Sequence, residues 1–593
     1  MKEESVLVLF GDESPYKSLL SERHYDAIVA KEKWRQDFNG VGSRFISLES
    51  LIEAGSIYEA SAFVEELSFL KLADGSRITK SFIYEGYELW WIYYNNLFLY
   101  FCLPYTQYRK LLKYLKSFPN VYIHQPPYKS LFSCYLEAHG CKMSVLRKSG
   151  IKSPSFLPFG VFLQILITLV CLPVLVFGKR HLMVFTGDKF EKDRDYDFRM
   201  KFVYEELRQR EIPFVEFIRS LESWKNVLGH AWKRRRAVIY PEAVAFAGRF
   251  ISFLIGGHRR ARREFSADIF MVGSDPEAKF KSLVAIQYLL SVYDDVWAIR
   301  ITKFILRVIG VKVSFIPSAS ERNFHAVLGS KLNGIPTVGI MHGVASRFYN
   351  VYEFMPGFDG EKILSVDKYG LWSEWWLEYF REYSRAYKSE QLFLSGPMRP
   401  ILNKASLSTS KSKSKGGLVK VLFVSEQQAV PEEVLPYLLT LLDAKEVSVY
   451  MTFRPYRDGF ELWLKDKRSD ILGRLEESHI IRSGIHDAIA ICDVVVGAHS
   501  TSVIEALLNF KVSIYFKTQK WGDYYNLKDY DKKHSFFAEN PDELVEKIKN
   551  SRAISPDAIK DLRERYFGDP YKNGSKWVVD QLEGTLLKGC STK

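Results

Sequence analysis

Short apolar runs that alternate with helical patterns constrain the fold of this chain more than any other feature. Beyond residue 346, β-rich runs bounded by turn residues recur, with helical patterns between them. Because alternating strands and helices form parallel sheets that are covered by helices, residues 346–593 are predicted to form a doubly wound α/β domain. The runs that define it are Leu392–Leu394, Val419–Val424, Val447–Met451, Val494–Val496 and Val512–Phe516.

The same alternation extends towards the N-terminus and predicts two further α/β regions. At about 100 to 200 residues per domain, a chain of 593 residues has room for all three. Its 47% hydrophobic and 26% charged residues are typical of a folded protein and exclude a disordered chain. Residues 1–150 are predicted to form an N-terminal α/β accessory domain, and residues 181–345 a parallel-sheet domain. Their strand-like runs are Val6–Phe10, Ala27–Val29, Val121–Ile123, Leu182–Thr186, Pro213–Phe217, Ile269–Val272 and Val311–Ile316.

Residues 151–180 separate these two regions and contain an apolar segment, 156–178, that has no charged residue. The segment is long enough to cross a bilayer. However, Pro158, Gly160 and Pro173 interrupt it, and basic residues flank it on both sides, so the distribution of positive charge gives no orientation. Three interpretations stay open: a monotopic or re-entrant membrane anchor, a transmembrane span, and a buried core helix.

An excess of positive charge favours an anionic partner. Lysine and arginine exceed aspartate and glutamate by 13, and two basic clusters, Lys233–Arg236 and Arg259–Arg263, bracket a largely apolar stretch. Such clusters place several charges against an anionic leaflet, so an anionic membrane surface is the predicted partner, with a solvated helix face as the alternative. Nucleic acid is not predicted, because the sequence has no recognisable binding module. Six cysteines without CxxC spacing indicate a reducing compartment, so we expect the cytoplasmic face of a membrane, with peripheral, monotopic or single-pass attachment.

A turn of small residues after a predicted strand is the most informative candidate site. Ser500, Thr501 and Ser502 follow Gly497 and open a helix that carries Glu505. The free N–H groups and the positive dipole end of such a helix favour a phosphate, and doubly wound sheets bind ligands at this edge. The turn is therefore predicted to bind a phosphorylated ligand. The alternative is a helix cap alone, with Ser502 and Glu505 forming a capping box.

Other candidate residues stand at the ends of further predicted strands. His342 and Gly343 follow one strand; glycine allows close approach of the backbone to a ligand, and histidine is a candidate general base at neutral pH. Arg399 and Arg454 each follow a strand and lie beside a proline, and a guanidinium fork matches phosphate oxygens. Glu426 offers a polar group at the same edge. A structural histidine and a surface salt bridge are the alternatives for single residues of these types.

A metal-dependent site is not predicted. Asp193, Asp195 and Asp197 would suit Mg²⁺ or Mn²⁺ beside a diphosphate. They lie several residues beyond their strand in a highly charged tract, which is typical of a solvated loop.

The order of these motifs resembles that of the GT-B glycosyltransferases, in particular the groups that build bacterial surface polysaccharides and the related CDP-glycerol glycerophosphotransferases. The resemblance covers residues 335–516. It implies an α/β fold with two Rossmann-like doubly wound domains behind the accessory domain. The segments that carry it are His342-Gly343, the stretch around Asp367, Gly396–Arg399 and Ser500–Ser502 with Glu505.

The resemblance also implies roles for the candidate residues. His342 would lie in the cleft between the domains, Arg399 and the serine turn would hold the donor diphosphate, and Glu505 would contact the nucleotide ribose or the sugar. One departure is Arg454, which stands where these families usually have histidine; arginine does not transfer protons at neutral pH. The candidate catalytic residues are His342 and Glu505, and the candidate donor-binding residues are Gly343, Arg399, Glu426, Arg454, Ser500, Thr501 and Ser502.

The activity that the resemblance implies is metal-independent transfer of a sugar from a nucleotide-sugar donor to a surface polysaccharide or a lipid-linked glycan at the membrane. No cofactor is expected beyond the nucleotide-sugar substrate. Catalysis would rest on positioning and on stabilising the departing diphosphate. Transfer of a polyol phosphate from a CDP-linked donor is the alternative on the same fold, and a non-catalytic membrane-bound scaffold is the alternative outside the enzymes.

Overall fold

Three parallel sheets organise the chain in the computed structural model, accompanied by one small antiparallel hairpin. Each large sheet places its first strand beside its second strand on one side and beside a later strand on the other. This is the reversal of strand order that defines a doubly wound fold. The structure describes residues 4–11, 20, 23–146, 159–178, 180–188, 196–220, 223–234, 236–270, 275–320, 322–398, 417–426, 430–453, 458–482, 484–528, 530 and 536–590.

The N-terminal sheet has five strands. They are β1 (Ser5–Leu9), β2 (Ala27–Ala30), β3 (Arg44–Ser47), β6 (Asn120–His124) and β7 (Lys142–Leu146), and the hairpin is β4 (Ile83–Tyr84) with β5 (Tyr87–Glu88). The helices are α1 (Ile57–Ser68), α2 (Tyr94–Leu97), α3 (Leu103–Leu115) and α4 (Lys129–Ala138). The sheet order is β3-β2-β1-β6-β7, and the central strand β1 is apolar and almost entirely buried, as expected where helices cover both faces of a parallel sheet.

The middle sheet has seven strands in the order β10-β9-β8-β11-β12-β13-β14. These are β8 (Leu182–Gly187), β9 (Phe214–Arg219), β10 (Val238–Ile239), β11 (Val313–Phe315), β12 (Thr337–Ile340), β13 (Lys368–Leu371) and β14 (Leu392–Leu394). The helices are α5 (Phe159–Gly178), α6 (Lys201–Gln209), α7 (Trp224–Arg234), α8 (Pro241–Leu254), α9 (Gly257–Glu264), α10 (Pro276–Leu289), α11 (Val292–Ile309), α12 (Arg322–Lys331), α13 (Val351–Phe354) and α14 (Glu374–Tyr383).

The C-terminal sheet has six strands in the order β17-β16-β15-β18-β19-β20. These are β15 (Val419–Val424), β16 (Val447–Thr452), β17 (Ile480–Ile481), β18 (Val494–Gly497), β19 (Val512–Phe516) and β20 (Phe537–Ala538). The helices are α15 (Pro431–Asp443), α16 (Gly459–Lys467), α17 (Ser469–Arg474), α18 (Ile485–Ile491), α19 (Thr501–Glu505), α20 (Pro541–Asn550), α21 (Pro556–Phe567) and α22 (Gly574–Cys590). The prediction of an α/β chain with two Rossmann-like doubly wound domains behind an N-terminal α/β domain is confirmed.

The predicted boundary between the last two domains, at residues 345 and 346, is wrong. Strands β13 and β14 continue the middle sheet, because β13 pairs with β12 and β14 pairs with β13. The run Leu392–Leu394 therefore belongs to the middle domain, and the C-terminal sheet begins only at Val419. Sequence spacing did not show this, since a strand run looks the same whichever sheet it joins.

The chain ends by returning to the middle domain. Helix α22 buries Val578, Val579 and Leu582 against Val184 of β8 and Val313 of β11. Two strands and the last helix of the predicted C-terminal domain, residues 346–593, therefore belong to the middle domain. The chain thus passes from the middle domain to the C-terminal domain and back, which connects the two doubly wound domains twice.

The predicted strand at Ile269–Val272 does not form in the described part of that run. Ala267–Ile269 makes a short helical turn, Phe270 makes an isolated bridge with Leu72, and residues 271 and 272 lie outside the described residues. Four helices, α8 to α11, stand between β10 and β11 instead.

The N-terminal and middle domains are packed together. The hydroxyl of Tyr93 donates to the buried Asp295 at 2.7 Å, and the ring of Phe63 lies 6.1 Å from that of Phe280. In the hairpin turn, Lys362 donates to the carbonyl of Glu85 at 2.6 Å. The predicted accessory domain therefore packs directly on the middle domain, and residues of all three domains contribute to one large hydrophobic core.

Candidate functional site

His342 lies two residues beyond the carboxyl end of β12. Its side chain is reached by solvent, yet protein surrounds it closely enough to remove much of its hydration. This desolvation and the nearby Arg199 guanidinium lower the pKa of His342 to about 4, against the opposing charge of Asp197. His342 therefore lies exposed at the carboxyl edge of the middle sheet, and its imidazole is neutral at physiological pH.

Asp197 and Arg199 form an ion pair whose charges act on His342. Arg199 donates to both carboxylate oxygens of Asp197, at 2.9 and 2.8 Å, and Asp197 is only 1% exposed. A Cβ at Gly187, the last residue of β8, would lie 2.7 Å from Asp197, so the glycine makes this approach possible. The solvated-loop interpretation is wrong for Asp197, because its carboxylate is buried and neutralised; Asp193 and Asp195 lie outside the described residues.

Gly343, which follows His342, borders open space. A Cβ built there would meet no atom of the described residues within 4 Å. The expected close approach of a ligand to this backbone is sterically possible.

The serine turn at the end of β18 has a different organisation from the predicted one. The buried carboxylate of Glu426 accepts the backbone N–H groups of Ala498, His499 and Ser500 at 2.8 to 2.9 Å. The hydroxyl of Ser500 in turn accepts the N–H of Ser502 at 3.3 Å. Two of the N–H groups that were predicted to meet a phosphate, those of Ser500 and Ser502, are therefore already occupied.

These contacts change two predictions. Glu426, predicted to contact the donor, has its carboxylate directed into the turn, so it positions the turn instead. The alternative capping box of Ser502 and Glu505 is wrong, because the residue that caps α19 is Ser500. Thr501, Ser502 and Glu505 are half-buried, and their predicted contacts with a ligand stay predictions.

His499 was not singled out from the sequence, although it joins the serine turn to Glu426 and Trp521. Its Nδ1 lies 2.5 Å from Glu426, and its ring stacks on Trp521 with centroids 3.7 Å apart. Burial alone would raise the pKa of Glu426, but His499 and the turn N–H groups outweigh it and hold that pKa below its usual value. The signal in the sequence was a carboxylate and a histidine that each follow a strand of the same predicted sheet.

The two doubly wound domains meet through the loop that follows His342. The ring of Tyr349 lies 5.0 Å from that of Trp521, and Trp521 stacks on His499. Tyr525 also donates to the carbonyl of His499 at 3.1 Å. A continuous series of aromatic contacts thus connects the carboxyl edge of the middle sheet to the serine turn of the C-terminal sheet.

Both predicted diphosphate-binding arginines, Arg399 and Arg454, lie outside the described residues. The segment before Arg399 is held by the start of α22, where the N–H of Gly574 donates to the carbonyl of Pro397 at 2.9 Å and the hydroxyl of Ser575 to that of Met398 at 2.6 Å.

A second charged group at the carboxyl edge of the middle sheet was missed. Asp188 directly follows β8, and its carboxylate contacts Nδ1 of His230 at 2.9 Å, Arg234 at 3.1 Å and the hydroxyl of Ser220 at 2.5 Å. Strands β8 and β11 are neighbours where the strand order reverses, which is where such sheets bind ligands. Lone residues spread over 188–234 carried no spacing signal.

The described residues contain no group of three or more histidine, cysteine, aspartate or glutamate side chains suited to a metal ion. The two carboxylates nearest to His342 and to the serine turn are each occupied by arginine or by backbone N–H groups. The charges near His342 are thus an aspartate–arginine pair, and those at the serine turn are a carboxylate bound by backbone N–H groups.

No known protein family matches the chain, and no curated protein matches it in sequence. Among solved structures, a UDP-N-acetylglucosamine 2-epimerase covers 68% of this chain and 94% of its own, at 11% identity and a TM-score of 0.39. The UDP-GlcNAc 2-epimerase from Neisseria meningitidis bound to UDP-GlcNAc covers 69% and 99%, at 11% identity and a TM-score of 0.38. HepE from Anabaena in complex with UDP-glucose covers 68% and 99%, at 10% identity and a TM-score of 0.38. At these TM-scores the assignment of the fold rests on the sheet topology, and that of function on the site.

Proposed function

We propose that the chain is a metal-independent, nucleotide-sugar-dependent glycosyltransferase that acts at the cytoplasmic face of a membrane. Its acceptor is a surface polysaccharide or a lipid-linked glycan. The observation that carries the proposal is the series of contacts from the His342 loop through Tyr349 and Trp521 to His499. It joins the carboxyl edges of two doubly wound sheets, the edges at which such sheets bind ligands.

In this proposal, the donor lies against the C-terminal sheet. The serine turn, shaped by Glu426, meets the diphosphate, and Glu505 contacts the ribose or the sugar. Arg399 and Arg454 are the proposed partners of the diphosphate charge, since guanidinium groups bind phosphate oxygens in pairs. No other cofactor takes part.

The acceptor lies against the middle sheet. A bond forms between the acceptor oxygen and the sugar carbon, the bond from that carbon to the diphosphate breaks, and the nucleoside diphosphate leaves with the bonding electron pair. The acceptor proton goes to a ring nitrogen of His342, which is neutral at physiological pH because its pKa is about 4. A base with so low a pKa supplies modest proton-transfer catalysis, so positioning and charge stabilisation carry most of the rate enhancement.

Thermal unfolding with added nucleotides tests the donor site. We expect one of UDP, GDP, CDP, CMP and dTDP, at millimolar concentration, to stabilise the detergent-supported chain. A ligand present at a hundred times its dissociation constant adds about 2.7 kcal/mol to the free energy of unfolding. Stabilisation by UDP, GDP or dTDP supports sugar transfer, CMP an acidic-sugar donor, and CDP alone transfer of a polyol phosphate.

A pair of serine variants separates binding from capping in the same experiment. Ser500→Ala removes a hydroxyl at the proposed donor site, whereas Ser555→Ala removes the equivalent cap of α21, whose hydroxyl accepts from Ala558 at 3.1 Å. Both variants should lose about 1 kcal/mol of helix-cap stability, but only Ser500→Ala should also lose the nucleotide shift. If no nucleotide stabilises the chain, the enzyme proposal is wrong and the scaffold alternative takes its place.

A further inference from the structure

Helix α5 leaves a broad apolar surface uncovered. The most apolar 18-residue stretch within Gly160–Gly178 has a mean hydropathy of 2.6, and only 17% of that stretch is buried. Val170, Val174 and Phe177 are 72%, 62% and 87% exposed. An isolated exposed apolar residue is ordinary, but one helix face with this many is a contact surface.

The helices of the middle domain that contact α5 also carry exposed apolar side chains. Helices α7, α8 and α11 all contact α5. Trp232 of α7 is 88% exposed, and Phe253 of α8 is 68% exposed; Phe304 of α11 is exposed as well. We call the surface formed by Val170, Val174, Phe177, Trp232, Phe253 and Phe304 the apolar face.

The opposite side of α5 is attached to the middle sheet by buried polar contacts. The Gln164 side chain donates to the carbonyl of Ser220 at 3.1 Å, and the hydroxyl oxygen of Thr168 accepts the N–H of Tyr240 at 3.2 Å. The backbone groups that contact α5, the Ser220 carbonyl and the Tyr240 N–H, directly follow β9 and β10. The attached side of α5 therefore adjoins the carboxyl edge of the sheet, close to Asp188, which contacts Ser220, and the apolar face points away from it.

The packing of the flanking domains excludes a transmembrane span for α5. Residues before the helix and residues after it form one body, as shown by the buried contact of Tyr93 with Asp295 and the packing of Phe63 on Phe280. A single span would place these partners on opposite sides of the bilayer. Helix α5 is therefore bound along its length to a folded domain, which also makes the core-helix interpretation wrong for its exposed face.

Positive charge borders the apolar face. Helix α9 contacts both α8 and α11 and carries Arg259, Arg262 and Arg263, all exposed. None of the three forms an ion pair with the described residues. An apolar surface rimmed by unpaired arginines is complementary to acyl chains beneath anionic headgroups, whereas a second copy of this chain would bring a second set of like charges.

We infer that the apolar face is a docking surface for an anionic lipid bilayer, with α5 lying in the plane of one leaflet and the arginines of α9 on lipid phosphates. In one respect this rests on the proposed function: the same leaflet would present a lipid-linked acceptor to the carboxyl edge of the middle sheet. The apolar side chains enter the boundary between headgroups and acyl chains, and Gln164 and Thr168 keep the helix on the protein.

Vesicle flotation with the full chain tests this inference. We expect binding to phosphatidylcholine vesicles that contain phosphatidylglycerol and weaker binding to pure phosphatidylcholine. Val174→Ser with Phe253→Ser should abolish flotation. Arg259→Gln, Arg262→Gln and Arg263→Gln together should weaken binding to anionic vesicles by at least about tenfold, since each basic residue near an anionic surface strengthens binding. They should leave binding to neutral vesicles little changed.

Matched controls make the result specific. Tyr571→Ser removes a side chain that is 73% exposed in the loop before α22, and Lys110→Gln, Lys113→Gln and Lys116→Gln remove three exposed charges on and after α3. Neither set should alter flotation. The docking variants should keep the nucleotide-induced stabilisation, so loss of membrane binding and failure of the donor site are distinguishable.

Three results would overturn the inference. They are absence of flotation of the folded chain, a stable dimer that Val174→Ser with Phe253→Ser converts to monomers, and protection of either residues 4–146 or residues 182–398 from a protease added outside sealed vesicles.

Discussion

The carboxyl edges of the middle and C-terminal sheets have the same topology but are organised by different groups. At the middle edge, side chains pair with side chains: Asp197 with Arg199, and Asp188 with His230 and Arg234. At the C-terminal edge, the Glu426 carboxylate binds backbone N–H groups. At the middle edge the charged side chains pair with each other and His342 is exposed, so its imidazole is available for proton transfer. At the C-terminal edge the Glu426 carboxylate binds the backbone and determines the shape of the serine turn. The two edges therefore respond differently to substitution.

The largest expected effect is on stability at the C-terminal edge. Glu426→Ala leaves one buried and two partly buried N–H groups, together with His499, without their acceptor, which costs about 3 kcal/mol. Hydrogen exchange in β15 and β18 should accelerate accordingly, while exchange in β11 and β12 stays unchanged. Equal acceleration in both sheets, or none in β18, would show that Glu426 does not organise its domain locally.

Glu433→Ala is the matched control, because Glu433 also accepts a backbone N–H, that of Gln519 at 2.9 Å, but at the rim of the domain. This substitution should cost about 1 kcal/mol of unfolding free energy.

The difference in unfolding free energy between wild type and Glu426→Gln should depend on pH. Since the pKa of folded Glu426 lies below its ordinary value, its charged form stabilises the fold above that ordinary value. This contribution disappears as the pH falls through the folded pKa.

How far the sequence predicts this molecule differs between topology and site. The spacing of apolar runs and turn residues predicted that β12, β15 and β18 end in polar segments. The structure confirms that the segments after β15 and β18 lie at one edge of the C-terminal sheet, and it places the segment after β12 at the carboxyl edge of the middle sheet. The sequence did not predict that Glu426 turns into the serine turn, because that contact joins residues more than 70 positions apart. The pairing of Asp188 with His230 could not be predicted for the same reason, since no local spacing encodes a contact between a strand end and a helix 42 residues later.

At the middle edge, the next expected effect is on turnover. His342→Gln should lower kcat by about 100-fold, within the range for loss of an acid–base group, and leave nucleotide affinity nearly unchanged. Since the neutral imidazole is the active form, kcat/KM of the wild type should fall as the pH drops through about 4. His139→Gln, at a histidine that stacks on Tyr135 in the N-terminal domain, should leave both quantities unaltered. An acidic limb near the ordinary histidine value would contradict the lowering of the His342 pKa by desolvation and Arg199.

The smallest expected effect tests whether paired charges control the middle edge, because it changes the pKa of His342 without removing that base. Arg199→Gln deletes the positive charge that helps to lower the pKa of His342 and leaves Asp197 uncompensated, so both changes raise that pKa. The acidic limb of kcat/KM should move upward, while the rate above pH 7.5 changes by less than about tenfold. Arg199→Lys keeps the charge and should keep the limb near its wild-type position. If Arg199→Gln leaves the limb in place while Glu426→Ala shifts it, the turn and not the paired charges controls His342, and the division of roles between the two edges is reversed.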